Sequence, residues 1–390
     1  MPISGKMQKI IETSSSVTRM FEEGARLRAR YGPDRVYDFT LGNPAVPPPP
    51  EFGEVLRNLV KEDSIPHGYT PTAGLLPVRR AVAEYLSREQ GTEIPAENVV
   101  MTSGAVGALN GIFTALMDPG EEILVPAPYF VAYTLYVMNM GAVLRSVPTG
   151  GNFHLDPGAM EAAITGKTRA VLVNSPNNPS GAVYSREELE QLGEVLDRAS
   201  KRYGRRIYLI SDEPYRRLAF DSEVPSVLES YPHTILISSY SKQLSLAGER
   251  IGYLAVHPEA EDAEQLVKAA GVMNAVLYVN APSLFQRVVA ALQGAVVDVE
   301  AYRRRRDLVC EVLERAGYTF TVPQGGFFIF PESPIPDDIT FCRSLMEERI
   351  LVCPGTDFGT PGHFRLSFAV PEKTILEAEE GFRRAREEIE

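Results

Sequence analysis

The chain is 390 residues long, more than one hydrophobic core usually spans, so about two domains are expected. Its 44% hydrophobic and 23% charged residues are ordinary for a globular protein, which leaves disorder for the termini alone. With 39 basic against 51 acidic side chains the net charge is −12, and the whole molecule would repel nucleic acid or an anionic membrane.

In chain order, the first marked feature is "NPAVPPPPEF" (43–52), which is Pro-rich, too rigid for a helix, and suited to carrying an N-terminal segment over to a larger body. Short β-branched runs then alternate with amphipathic segments. "NVVMTS" (98–103), "EILVP" (122–126), "AVLRSVP" (142–148) and "RAVLVNS" (169–175) read as strands, and 185–203 as a helix. "RIYLISD" (206–212), "TILISS" (234–239) and "GYLAV" (252–256) continue the strand series. This alternation predicts an α/β fold with a mostly parallel, doubly wound sheet of seven strands. Near residue 280 the pattern changes: "NAPSLFQRVVAALQG" opens a helical region, followed by "YTFTV", "GGFFIF", "ILVCPG" and "HFRLSFAV" as strands of a smaller α+β domain. The basic run "RRRR" (303–306) has helical apolar neighbours and reads as a solvated helix face. The expected divisions are an N-terminal segment over 1–45 that covers the site, a large domain over 46–285 and a small domain over 286–390.

Cys310, Cys342 and Cys353 are odd in number and far apart, which suits structural thiols in a reducing compartment better than disulfides or zinc. The five histidines show no metal-ligand spacing, so no metal is expected. "MPISGKMQKIIETSSS" lacks the apolar core of a signal peptide, and no run approaches the about 20 apolar residues of a membrane span, so a cytoplasmic location is expected.

The stretch "SSYSKQLSLAGERIGYLAV" (238–256) places Lys242 just past a strand end, where open α/β sheets hold ligands. Any single lysine is more often a surface or salt-bridged group. Near a buried strand end, however, an amine loses its proton more easily and can form a Schiff base with an aldehyde. Asp212 closes another strand and could keep a pyridine nitrogen protonated, the partner that pyridoxal phosphate needs. Arg250 lies eight residues after Lys242 and could grip a phosphate. "TSGAVGAL" (102–109) turns through Gly104 into a helix whose amino end suits the same phosphate.

These residues together resemble the class I aminotransferases related to aspartate aminotransferase, within the fold-type I pyridoxal-phosphate enzymes. The family's Ser-x-Ser-Lys, five residues, Gly-x-Arg-x-Gly-Tyr stands here as Ser239, Ser241, Lys242, Gly248, Arg250, Gly252 and Tyr253. The resemblance runs from about Gly42 to Arg365. It implies that Lys242 holds pyridoxal 5′-phosphate as an internal aldimine and later moves the substrate proton. Asp212 and Tyr215, in "SDEPYRRL", would meet the pyridine nitrogen and the phenolic oxygen. Asn178, in "NSPNNPSGAVY", would share that oxygen and help seat the substrate carboxylate. Arg365, in "HFRLSFAV", would clamp the α-carboxylate with Gly42 of "LGNP" beside it. Ser239, Arg250 and the backbone of Gly104, Ala105 and Val106 would cradle the phosphate, and Phe130 of "PAPYFVAY" would stack on the ring, with Tyr129 as the alternative register. Tyr69, in "HGYTPTAG", would reach the phosphate of a neighbouring subunit, implying a homodimer with shared sites.

The resemblance also implies a ping-pong reaction from an L-amino acid to 2-oxoglutarate. Aspartate-specific relatives often carry Gly-Gly-Lys where this chain has Gly104, Ala105 and Val106. The donor is therefore either aspartate, with Arg19 as the substitute anchor, or an apolar or aromatic amino acid beside Val106 and Phe328. Two other readings share these residues: a carbon–sulfur lyase on the same fold, and a cofactor-sensing regulator, for which the segment ahead of Gly42 is too short to supply a DNA-binding head.

Overall fold

The computed structural model describes residues 3–61 and 65–389, without the side chains of residues 14–22. Arg19 falls among the latter, so the anchor expected of it lies outside the described residues. The chain opens with helix α1 (Gly5–Tyr31), followed by strand β1 (Tyr37–Asp38), α2 (Glu51–Lys61) and α3 (Leu76–Gln90). The strands β2 (Val99–Thr102), β3 (Glu122–Ala127), β4 (Val143–Pro148) and β5 (Thr168–Asn174) come next. Then follow β6 (Tyr208–Asp212), β7 (Thr234–Ser239) and β8 (Gly252–Val256). Helices α4 (Gly104–Leu116) and α5 (Ala132–Asn139) sit between β2 and β4 in the chain.

These seven strands from β2 to β8 form one sheet in the order β2-β8-β7-β6-β5-β3-β4, and all seven coincide with the β-branched runs. β4, β3, β5, β6 and β7 run parallel, while β8 is antiparallel to both of its neighbours. Central strands such as β6 and β7 are buried along their whole length, as a parallel sheet with both faces covered requires. The edge strand β4 is half-exposed, and Pro148 is tolerated there because it owes no second ladder bond. Alternate residues supply the two faces: Val171, Leu209 and Leu236 join one core with Leu189, Leu192 and Leu196 of the helix Arg186–Tyr203. Leu172, Ile210, Ile235 and Ile237 join the other with Ile112 and Phe113 of α4.

A third core, including Phe39, Val46, Tyr302, Phe327, Phe341 and Phe382, belongs to the C-terminal part and the start of the chain. There β9 (Phe328–Ile329), β10 (Ile350–Leu351), β11 (Cys353–Pro354) and β12 (Phe364–Ser367) make two small sheets: β1 pairs with β10, and β11-β12-β9 form the other. Two expectations need correction. "YTFTV" (318–322) is not a strand; Tyr318 instead packs on Phe341, Phe364 and Phe382 and donates its hydroxyl to the Phe382 carbonyl. Nor is "RRRR" wholly solvated, because Arg306 is buried and pairs with Asp221 and Asp307 while donating to the Pro323 carbonyl. No described helix is long and apolar enough to cross a membrane.

Candidate active site

Parallel strands leave a crevice beyond their carboxyl ends, and here β5, β6 and β7 end at Asn174, Asp212 and Ser239 around a cavity of about 340 Å³. Its other wall comes from the C-terminal sheets and from Thr40, Leu41 and Gly42. Strand pairing fixes the floor: Asn174 is in register with Asp212, and Ser239 with Gly252.

Asp212 is 5% exposed, and its Oδ2 accepts a 2.6 Å hydrogen bond from the Tyr133 hydroxyl. Its Oδ1 is buried without a protein partner. Burial pushes this carboxyl up to about 7, with the Tyr133 bond opposing and the neighbouring Glu213 adding to the rise. The lone oxygen is an acceptor waiting for an N–H. Asn174 fixes the backbone on both sides of it, donating to the Asp212 carbonyl and accepting from the Asn178 N–H, each at 2.7 Å.

Lys242 follows β7 in a short helical turn, Tyr240–Gln243. Its Nζ donates to the Gly42 carbonyl at 2.6 Å and lies 5.1 Å from the centre of the Phe327 ring. Burial first, then the Arg250 and Arg365 cations, lower its pKa to about 8. A substantial neutral fraction is therefore present at physiological pH, which is what a nucleophilic amine needs.

The loop after Lys242 returns as β8, and Arg250 sits on it in the left-handed backbone region at φ 53°. A non-glycine residue held there costs about 1 kcal/mol, a strain that accompanies functional turns. The guanidinium packs against the amino end of α4: a Cβ on Gly104, itself at φ 67°, would lie 2.8 Å from Arg250 Nη2. Only glycine permits this approach. No side chain caps α4, so the N–H groups of its first turn, with Ala105, Val106, Arg250 and Ser239 on the cavity wall, could receive an anion.

Arg365 lies on β12, 6% exposed, with its guanidinium between the rings of Phe328 at 4.5 Å and Phe358 at 4.7 Å. Nη1 donates to Asn178 Oδ1 at 3.1 Å, and Nη2 donates to the Thr40 carbonyl at 2.6 Å and to Cys353 Sγ at 3.6 Å. Its Nε is buried without a partner. Clamped and only partly satisfied, it is ready for a carboxylate. Tyr215 is buried edge-on to Phe327 and Phe328, and burial raises its phenol well above the usual value while Arg365 and the hydrogen-bonded Asn178 oppose.

Phe130 lines the cavity and meets Tyr133 edge-on, whereas Tyr129 lies against Gly359. Tyr69 is outside the cavity and 89% exposed. Residue patterns alone missed Thr40, Tyr133, Cys353 and Phe358. Cys353 lines the cavity beside Arg365, whose Nη2 donates to its Sγ. Tyr133 lies just inside α5, three residues after Phe130, and its N–H donates to the Phe130 carbonyl across the turn between them. Thr40 and Phe358 carry no sequence signal that marks them for the site.

Residues 34–382 match the family described as aminotransferase class I and II. An aspartate/prephenate aminotransferase of Thermus thermophilus is 35% identical over 91% of this chain and 92% of its own length. An aspartate aminotransferase of Thermotoga maritima is 34% identical over 95% of this chain and 96% of its own. Among solved structures, an amino transferase of Eubacterium rectale superposes with a TM-score of 0.95 at 39% identity, covering 100% of this chain and 99% of that one. The aspartate aminotransferase of Thermus thermophilus with maleate gives 0.89 at 31% identity, over 99% and 100%.

Proposed function

The chain belongs to the aminotransferase class I and II family, and from that premise we propose how its cavity residues move an amino group from an L-amino acid to a 2-oxo acid by a ping-pong exchange. As an aspartate aminotransferase-type enzyme it depends on pyridoxal 5′-phosphate, which when bound supplies an aldehyde and an electron sink.

The residues fit that cofactor. The orphaned Asp212 Oδ1 would accept from a pyridine N–H, and Tyr133 would hold the carboxylate in place. The α4 amino end, Ser239 and Arg250 would take the phosphate. Phe130 would cover one face of the ring, and Tyr215 and Asn178 would meet the phenolic oxygen. Lys242, with its lowered pKa, would attach the aldehyde carbon and, when displaced by substrate, carry the proton between the substrate α-carbon and the cofactor. Arg365, with Asn178 and Gly42, would hold the α-carboxylate in one orientation. Residues 46–285 would form the body that holds the cofactor, and 286–390 with 1–45 the part that brings Arg365, since Phe39 shares a core with the C-terminal residues.

We further propose a homodimer. Thr70 N–H donates to Asn280 Oδ1 and Asn274 donates to the Thr72 carbonyl, so the segment that carries the exposed Tyr69 is tied to the stretch that carries the exposed Val272, Val276 and Val279. This apolar face adjoins α4, where Gly107 packs against Tyr278. A second copy would cover it and place Tyr69 at its neighbour's phosphate end.

The observation that carries the reading is a depressed lysine amine and an unpartnered buried carboxylate in one cavity. Lys242→Ala should keep the fold by circular dichroism yet lose transamination by at least about 1,000-fold, since it removes both nucleophile and base. Retained activity would refute the assignment. Pyruvate or another elimination product formed without an acceptor would instead favour the lyase reading.

A further inference from the structure

We propose that Asp338, which does not itself line the cavity, is a positioning residue for the carboxylate clamp: it pins the loop that lays Phe358 on Arg365. This rests on the role proposed above for Arg365.

The two rings that hold Arg365 are themselves held by different means. Phe328 belongs to β9 and is in register with Ser367 of β12, so the sheet fixes that face of the guanidinium. Phe358 lies outside the sheets. It ends the short helical turn Gly355–Phe358, within the loop that joins β11 to its antiparallel neighbour β12. The loop closes on itself, the Thr360 N–H donating to the Gly355 carbonyl at 3.0 Å and the Gly355 N–H to the His363 carbonyl at 2.7 Å. From outside, the Tyr129 N–H donates to the Phe358 carbonyl at 3.1 Å, the Ser333 N–H donates to the Gly362 carbonyl at 2.8 Å, and the Phe358 ring meets Phe330.

Asp338 ties the loop at both ends. Its Oδ2 accepts from the Thr356 N–H at 2.7 Å and the Gly362 N–H at 3.2 Å, and its Oδ1 accepts from the Thr356 hydroxyl at 2.8 Å. The helix Asp338–Glu347 does not need this side chain, because Asp337 caps it by accepting from the Thr340 N–H at 3.1 Å. Asp338 is 1% exposed and gives both oxygens to another segment. A buried carboxyl is costly unless its oxygens are bonded, and the loop supplies the bonds. Without it the Thr356 and Gly362 N–H groups would turn to water, and the loop would carry Phe358 off the guanidinium. Phe358 gives Arg365 a cation–π contact and keeps water from one face of it. A guanidinium shielded in this way meets a carboxylate at fuller strength. Asp338 thus acts on substrate through the loop, Phe358 and Arg365 in turn.

The test compares carboxylate binding with cofactor binding. Maleate and 4-methylpentanoate, neither of which can react, are titrated into the holoenzyme by calorimetry, and the tighter of the two is followed through the variants. Pyridoxal phosphate is titrated into each apoenzyme. Asp338→Ala should weaken the carboxylate at least about tenfold while pyridoxal phosphate affinity changes by less than about threefold. Asp338→Asn should stay within about threefold of the wild type for both ligands, because its Oδ1 can accept from the two N–H groups and its amide can donate to the Thr356 hydroxyl oxygen. A merely structural lesion would weaken both ligands together. Equal losses for the two ligands, an unchanged carboxylate affinity in Asp338→Ala, or a loss in Asp338→Asn as large as in Asp338→Ala each overturns the proposal. Thr356→Val deletes only the hydroxyl bond and should weaken the carboxylate about threefold. It carries the test if Asp338→Ala does not fold, and an unchanged affinity there overturns the proposal too. A wild type that binds neither carboxylate, or an Arg365→Ala variant that binds as tightly as the wild type, refutes the reading of Arg365 and takes the proposal with it, a result distinct from the others.

Discussion

Asp212 shows how a single residue can be tuned against stability. Its carboxyl sits at about 7 in the ligand-free fold, against 3.8 in the open chain. Between those values the folded state binds a proton that the unfolded state does not, so stability is fullest below about pH 4 and declines as pH rises through 7. The shift corresponds to on the order of 4 kcal/mol lost across that window. Asp212→Asn removes the titration, so the melting temperature of the apoenzyme should fall less between pH 4.5 and pH 8 in the variant than in the wild type. Identical slopes would show that the carboxyl is not the group that titrates. Adding pyridoxal phosphate should flatten the wild-type slope too, because an N–H partner favours the ionised form. At this scale the sequence was informative at and just past the strand ends: Asp212 and Ser239, which close strands, and Lys242, three residues beyond one, could be placed from the apolar run before them. It was silent where a side chain arrives from another element, as Tyr133 does at Asp212 and Cys353 does at Arg365.

Among the elements, α1 is tied to the site by a short relay. Arg28 Nη1 donates to Asp38 Oδ2 at 2.7 Å, and Asp38 Oδ1 accepts from the Thr40 N–H at 3.0 Å and its hydroxyl at 2.6 Å. The Thr40 carbonyl in turn holds Arg365. Arg28 is partly exposed, so the ion pair itself contributes only about 0.2–1 kcal/mol to stability. Its loss should be felt more in binding. Arg28→Ala is expected to lower the melting temperature by less than about 3 °C while raising KM for amino donors about threefold at nearly unchanged kcat. An unaltered KM would mean that Thr40 holds its position without help from α1. The central sheet strands were legible because a strand buried on both faces needs an unbroken apolar run, and the exposed edge strand β4 because its β-branched residues lay between turn signals. "YTFTV" had the composition of a strand but forms no ladder: the Glu332 N–H donates to the Thr319 carbonyl, and Tyr318 is committed to an aromatic cluster. The basic run misled for the opposite reason, because Asp221 arrives from a distant loop to neutralise Arg306.

For the whole molecule, the proposed second copy makes activity depend on association. Val272 and Val276 are one turn apart on the helix Ala263–Leu277 and 55% and 68% exposed. Placing charges at both, as Val272→Asp with Val276→Asp, should halve the mass seen in sedimentation and weaken pyridoxal phosphate binding at least about tenfold, because the partner subunit's Tyr69 would be withdrawn. A wild-type protein that sediments as a monomer at micromolar concentration and still turns over would remove the shared-site proposal.

The reach of Arg365 has a consequence for biosynthesis. Its guanidinium bonds to Thr40, 325 positions earlier, and to Asn178, 187 positions earlier. A ribosome delivers the chain from its amino end, so the central sheet, complete at Val256, can close before β12 has been made. Asp212 and Lys242 have by then been synthesised, so on the roles proposed for them a nascent chain could capture the aldehyde cofactor. The residues proposed to orient a substrate carboxylate come together only after Phe364–Ser367 has emerged and folded back on the earliest part of the polypeptide. Loading can thus precede competence, and a chain halted between the two would sequester cofactor while remaining unable to use it.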